Sequence, residues 1–287
     1  MSDNCPGDLS DGRESQLARP DLMATRGGTL EAPASSVVVP SGWRRRLARL
    51  AVRLATAVVV VACIVGIATG SLLLAVPSVS SATGRVSSYL SAHHAPMLAP
   101  PPPPRIAQAV IATEDHAFGY PPGVDIAYGG LRYFYEHLLL GKPGQGGSTI
   151  AQQLAKLLYT KSRTGPVSKV EQIGLAFKLE ITYSHARLLT LYLDAAYFGQ
   201  GAYGIDQATA TYFGHSPAQC TWAQASMLAG LLQAPSAYDP YRHPRLARQR
   251  QLEVIGELES TGVLTPAEAR RVASSPLGLL PAPGTAT

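Results

Sequence analysis

Cysteine is scarce in this 287-residue chain, and Cys5, Cys63 and Cys220 fall in three segments of different character. A polar N-terminal stretch, a long apolar run and a downstream region each hold one, which excludes a disulfide framework and any metal-ligand spacing. No Gly-Lys-Ser/Thr follows the glycines near residue 145, and no strand pattern precedes them. A Walker loop, and ATP hydrolysis through one, is therefore disfavoured. β-Branched alternation of the kind a sheet needs is rare after Arg105, no internal repeat is visible, and Ser-x-x-Lys occurs nowhere.

Apolar residues make up 46% of the chain, enough for a sizeable core, but their distribution argues for one domain with appendages. Residues 1–43 carry Asp3, Asp8, Asp11, Glu14, Asp21 and Glu31 against three arginines and show no apolar periodicity. They read as a disordered, acidic tail. Residues 44–76 begin with Arg44, Arg45, Arg46, Arg49 and Arg53, and then Leu54 to Val76 contains no charge. At a rise of about 1.5 Å per residue that run crosses a hydrocarbon core of about 30 Å. A cleaved signal peptide is the rival reading, but its apolar region is usually about 7–15 residues and nearer the N-terminus, so a retained anchor is favoured. Arginines on the N-terminal flank put the tail in the cytoplasm and everything after Val76 outside, at the cytoplasmic membrane. The whole chain has net charge +5, a mild excess that suits an anionic membrane or substrate without deciding between them. Nothing points to nucleic acid.

Residues 77–104, rich in Ser, Ala and Pro and ending in Pro100 to Pro104, read as a stiff spacer. Residues 105–242 form the main domain and read as mainly α. Ile106, Ala109, Val110 and Thr113 share one face of a first helix that should fail by Gly119 to Gly123. Thr149 with Gln152 forms a capping box for a second, and further helices are expected over about 167–183 and 186–196. Thr221 with Gln224 caps another, and Thr265-Pro266-Ala267-Glu268 opens a last short one. Residues 243–287 read as a helical appendage and tail.

Two constellations could carry chemistry. Glu114-Asp115 with Phe118 lies at the end of the first helix, where the negative dipole end should raise a carboxyl pKa and make Glu114 a proton acceptor; a solvated acidic pair is the plain alternative. The second runs from Gly144 through Gly147, Ser148 and Thr149 to Gln152, Gln153 and Lys156. Glycines, free helix N–H groups and a lysine could cradle a phosphate, or the stretch could be a flexible loop feeding a capped helix.

Together, Glu114-Asp115-x-x-Phe118, Gly147-Ser148-Thr149-Ile150-x-Gln152-Gln153-Leu154-x-Lys156, Leu191-Tyr192-Leu193, Tyr197-Phe198-Gly199-x-Gly201-Ala202-Tyr203-Gly204 and Ala229-Gly230-Leu231 with Ala234-Pro235-Ser236-x-Tyr238-x-Pro240 resemble the family-51 glycosyltransferases. These are peptidoglycan transglycosylases, found as monofunctional enzymes and as the first domain of class A penicillin-binding proteins. The resemblance covers about residues 105–242. It implies a lysozyme-like, two-lobed α fold that joins lipid II units by inverting transfer and releases undecaprenyl pyrophosphate. By the same resemblance Glu114 is the general base acting on the acceptor 4-hydroxyl, and Asp115, Phe118, Gly147, Ser148, Thr149, Gln152 and Gln153 are candidate substrate contacts. Positive charge is needed near the departing pyrophosphate, and Lys156, Arg163 and Lys169 are the candidates. No cofactor is required, although a divalent cation could sit near the pyrophosphate.

The third family motif, usually Arg-Lys-x-x-Glu, admits two alignments here. One puts Gln172 at the glutamate position with Ser168 replacing Arg; the other, counted from Arg163, puts Glu171 there. One residue on a helix is a rotation of about 100°, so the two cannot share a place. Glu171 is favoured as the second functional carboxylate. Pro121 stands where the family usually has His, Asp194 where Asn is common and Thr190 where Glu is common. A lysozyme-type hydrolase is disfavoured because it has no pyrophosphate to stabilise, while a weakened member acting as a lipid II-binding scaffold stays open. The stretch after Thr221 has no room for a transpeptidase domain, so cross-linking would fall to a separate partner.

Overall fold

A computed structural model of the chain describes residues 41–99, 101–135, 141, 147–161 and 163–282. The acidic tail to residue 40, Pro100 of the spacer and the glycine-rich residues 142–146 lie outside the described residues. Two compact units result, residues 1–57 and 58–287. In the first, the described residues are the arginine-bearing start of helix α1 (Ser41–Ala75), with Trp43, Leu47 and Leu50 exposed. The stretch Gly42–Ala75 is long and apolar enough to cross a membrane, and none of its most apolar window is buried.

The second unit is built from α2 (Ala82–Ala92), α3 (Pro104–Glu114), α4 (Val124–Phe134), α5 (Ile150–Leu158), α6 (Pro166–Thr182), α7 (His185–Ala195), α8 (Ile205–Phe213), α9 (Trp222–Gln233), α10 (Pro244–Ser260) and α11 (Pro266–Ser274). Among the described residues there is no strand, and Tyr197 and Tyr203 form an isolated antiparallel bridge. The starts of these helices follow from local chemistry. Proline occupies the first turn of α3, α6, α10 and α11, where its missing N–H costs nothing. Full capping boxes close α9 (Thr221 with Gln224) and α11 (Thr265 with Glu268), as their sequences predict.

The helices pack in two groups. One gathers α3, α9, α10 and α11; the other gathers α2, α5, α6, α7 and α8. In the first group α9 is buried from Ala223 to Leu231 without interruption, as expected of a helix enclosed on all faces. Gly230 makes the tightest approach there: a Cβ on it would lie 2.9 Å from Cγ of Arg250 on α10.

Two expectations need correction. The spacer over 77–104 contains α2, whose Ala82, Val86 and Leu90 are buried in the core. Its serines and alanines face outward or pack closely, and Ser/Ala-rich composition hides three apolar positions spaced four apart. The region is tied further by Tyr183, whose hydroxyl donates to the Val79 carbonyl at 3.0 Å, and by Lys178, whose Nζ donates to the Val76 carbonyl at 2.7 Å. The C-terminal appendage is likewise part of the core. On α10, Val254, Ile255 and Leu258 are buried, and Gln251 Nε2 donates to the Ala223 carbonyl at 2.8 Å. Beyond α11, the Leu280 N–H donates to the Tyr212 carbonyl at 2.9 Å.

Because α2 is a core helix, Leu90→Ala should cost about 2–5 kcal/mol of stability. The check is the urea midpoint of the detergent-solubilised chain; a free spacer helix would leave it unchanged.

Candidate active site

A cavity of about 440 Å³ opens between the two helix groups. Glu114 on α3 and Leu232 and Gln233 on α9 line it from one side; Gln152, Gln153 and Lys156 on α5, Gln172 on α6 and Tyr192 on α7 line it from the other. Ser148, Tyr197 and Pro235 complete its rim.

Glu114 is the last residue of α3. Its Oε2 accepts a hydrogen bond from Gln153 Nε2 at 2.7 Å, and Gln153 Oε1 in turn accepts one from the Tyr192 hydroxyl at 2.7 Å. Burial raises the Glu114 pKa, opposed first by the Gln153 hydrogen bond and then by the charge of Arg250. The direction matches the expectation from the helix end, but burial is the main cause.

Two lysines face the same region. Lys169 Nζ donates to Ser148 Oγ at 2.7 Å and to Gln152 Oε1 at 2.8 Å. Burial lowers its pKa, and the nearby charge of Lys156 lowers it further. Two ammonium groups that disfavour each other's charge are relieved by an anion between them. Gln152 shows how sequence and structure part here. Thr149 caps α5 by accepting from the Gln152 N–H at 3.2 Å, as expected, but the Gln152 side chain turns to Lys169 instead of closing the box.

Asp115 was expected to touch substrate. It is instead buried and supports the loop: Oδ2 accepts from the Ile150 N–H at 3.0 Å and Oδ1 from the Ala117 N–H at 3.3 Å. It therefore satisfies a free donor at the N-terminus of α5. Burial pushes its pKa up to about 6. Phe118 also lies off the cavity, its ring edge-to-face with His185 at 5.5 Å. Gly147 packs beneath α4, where a Cβ on Gly129 would come within 2.8 Å of its carbonyl oxygen. Thr149 is a cap and is buried.

A sequence profile of the family described as transglycosylase matches residues 87–259. The chain belongs to the transglycosylase family. Penicillin-binding protein 1A of Aquifex aeolicus (strain VF5) is 35% identical over 176 residues, which is 61% of this chain and 24% of that protein. Penicillin-binding protein 1F of Bacillus subtilis (strain 168) is 35% identical over 177 residues, 62% of this chain and 25% of that protein. The 1A protein of Neisseria flavescens is 39% identical over 163 residues, 57% of this chain and 20% of that protein. The chain thus spans about a quarter or less of the length of these relatives. Its fold class is the mainly α, lysozyme-like one of the transglycosylase domain. The match begins inside α2 and ends inside α10, so it takes in part of the stretch that read as a spacer and part of the C-terminal appendage.

Within this transglycosylase fold the two candidates for the second-glutamate position separate clearly. Gln172 is buried and lines the cavity, donating from Nε2 to Thr160 Oγ1 and the Arg163 carbonyl, both at 3.3 Å. Glu171 does not line the cavity; its carboxylate accepts from the Arg163 guanidinium at 2.9 Å in a partly exposed ion pair. Of the residues proposed around this motif, the structure thus brings Gln172 to the cavity wall and leaves Glu171 and Arg163 off it. They neutralise each other at the surface.

Sequence reasoning gave no site role to Tyr192, which entered only within the Leu191-Tyr192-Leu193 motif, or to Glu180. The latter is buried, accepts from the Gly123 N–H at 2.9 Å and has a pKa raised to about 8 by burial and by the neighbouring Asp125. Asp194, standing where the transglycosylase family commonly has Asn, is fully buried and accepts from the Leu98 N–H at 3.0 Å. Burial pushes its pKa up to about 7. A neutral carboxylic acid resembles an amide, which explains how the position tolerates Asp.

Since the folded pKa of Asp194 lies above its usual 3.8, the native state holds the proton more tightly. Its contribution is complete below that usual value and is lost as pH rises to about 7. Asp194→Asn should flatten the fall in urea midpoint across this window, measured against the parent chain at each pH.

Proposed function

We propose that the chain is a membrane-anchored peptidoglycan glycosyltransferase that polymerises lipid II, with inversion at the donor C1 and release of undecaprenyl pyrophosphate. The observation that carries this reading is a single cavity lined by Glu114, raised in pKa but kept ionisable by Gln153, by Lys156, and by Ser148 and Gln152, the two side chains that Lys169 holds from behind the wall. Glu114 serves as the general base for the acceptor hydroxyl. The lysines meet the charge that develops on the leaving pyrophosphate. Phosphate oxygens of the leaving group are themselves ligands for a divalent cation, and the described residues contain no cluster of three or more His, Cys, Asp or Glu.

Both substrates of such a reaction carry lipid tails, and two features of the chain suit them. Gly42–Ala75 can anchor the protein, with the flanking arginines keeping the N-terminus cytoplasmic and the catalytic domain outside. On α4, Val124, Tyr128, Leu131 and Phe134 are exposed on a helix whose apolar residues gather on one side. An exposed apolar helix face of this kind can rest in the outer leaflet. Cross-linking of the new strand would be done by a separate transpeptidase.

The test is polymerisation of labelled lipid II by the full chain in detergent, resolved by gel. Glu114→Gln should lower the rate by at least about 100-fold. Glu171→Gln, which breaks only a partly exposed ion pair, should leave it within about fivefold, whereas Gln172→Ala should reduce it more. Loss of polymer with Glu171→Gln alone would restore that carboxylate to the mechanism. Lipid II binding without polymer from the folded parent chain would make the protein a scaffold.

A further inference from the structure

Tyr192 has no role in the reading above, yet it is the only tyrosine among the described residues that hydrogen-bonds the Gln153 side chain. It is 2% exposed, and its hydroxyl, Gln153 and Glu114 bring α7, α5 and α3 to one point through two hydrogen bonds of 2.7 Å. A primary amide has an acceptor end and a donor end of nearly equal size. Without a constraint, either end could turn to Glu114. An N–H facing the carboxylate stabilises its ionised form; a carbonyl oxygen there would repel it.

We propose that Tyr192 is a positioning residue for Glu114, its hydroxyl holding the Gln153 amide with the N–H side turned to the carboxylate. The proposal rests on the reading of Glu114 as the base. Burial, reinforced by the charge of Glu114, keeps the Tyr192 hydroxyl protonated well above its usual range, so it remains a donor throughout the working pH. Other charged groups facing Glu114 are Arg250 from α10 and, lining the same cavity, Lys156 from α5. Neither bonds the amide, so neither can set its orientation.

The experiment compares the parent chain with Tyr192→Phe in lipid II polymerisation across pH 5.5 to 9. Tyr192→Phe keeps the ring and removes the donor. The acidic limb of kcat should move up by roughly one pH unit, about a tenfold loss at its foot, with rates converging at alkaline pH and KM nearly unchanged. Gln153→Met should shift the limb the same way, and adding Tyr192→Phe to it should move it no further. A uniform loss at every pH with the limb in place would make Tyr192 a packing residue and overturn the proposal. If Tyr192→Phe does not fold, an unmoved limb in Gln153→Met overturns it equally, since the hydroxyl reaches Glu114 only through that amide. Should the folded parent chain make no polymer, the glycosyltransferase reading fails separately. Titration of Glu114 is then followed by carbon-13 NMR of labelled glutamate carboxyls, identified by its loss in Glu114→Gln. No difference between the parent and Tyr192→Phe would overturn the relay.

Discussion

A carboxylate removed from water must be given hydrogen-bond partners or lose its charge, and the arrangement around Glu114 is organised by that requirement. The group sits at the end of α3, in the helix group built on α9 and α10, while the amide that supports it comes from α5 in the other group. The Glu114 to Gln153 bond is thus both a chemical adjustment and a tie across the cavity. Each helix group has to be packed correctly for the two side chains to meet.

That dependence explains why segments distant from the site are built into the core. α10 supplies Arg250, whose charge acts on Glu114, and its buried stem requires the glycine at 230. α2 covers α7, from which Tyr192 projects, and Asp194 on the same helix holds the backbone of Leu98. Asp115 performs a similar service in the loop before α5, where its carboxylate fixes the first N–H of the helix that carries Gln152, Gln153 and Lys156. Much of the acidic chemistry here is therefore architectural. Asp115, Glu180 and Asp194 are buried acids with raised pKa values that face backbone N–H groups, and none of the three lines the cavity as Glu114 does.

The cationic side of the cavity obeys a complementary rule. Lys169 reaches Ser148 and Gln152 with two of its donors, and Lys156 stands near enough to lower its pKa. Arg163, although charged and close in sequence, is consumed by Glu171 at the surface. Charge counted along the chain is therefore a poor guide to charge available in a site, because a partly exposed ion pair between a loop arginine and a helix glutamate presents little field elsewhere.

Much was legible from residue order alone. The apolar span, the mainly α character and the caps at Thr221 and Thr265 all follow from local periodicity and hydrogen-bond chemistry. These are properties of short stretches, and a short stretch contains what determines them. Which of Glu171 and Gln172 lines the cavity, the burial of α2 and α10, the turn of Gln152 towards Lys169 and the place of Tyr192 were decided only by tertiary structure. A helix offers every side chain a direction, about 100° from the last. Which direction becomes the site depends on where a second helix packs, and that is fixed by contacts among residues far apart in the chain.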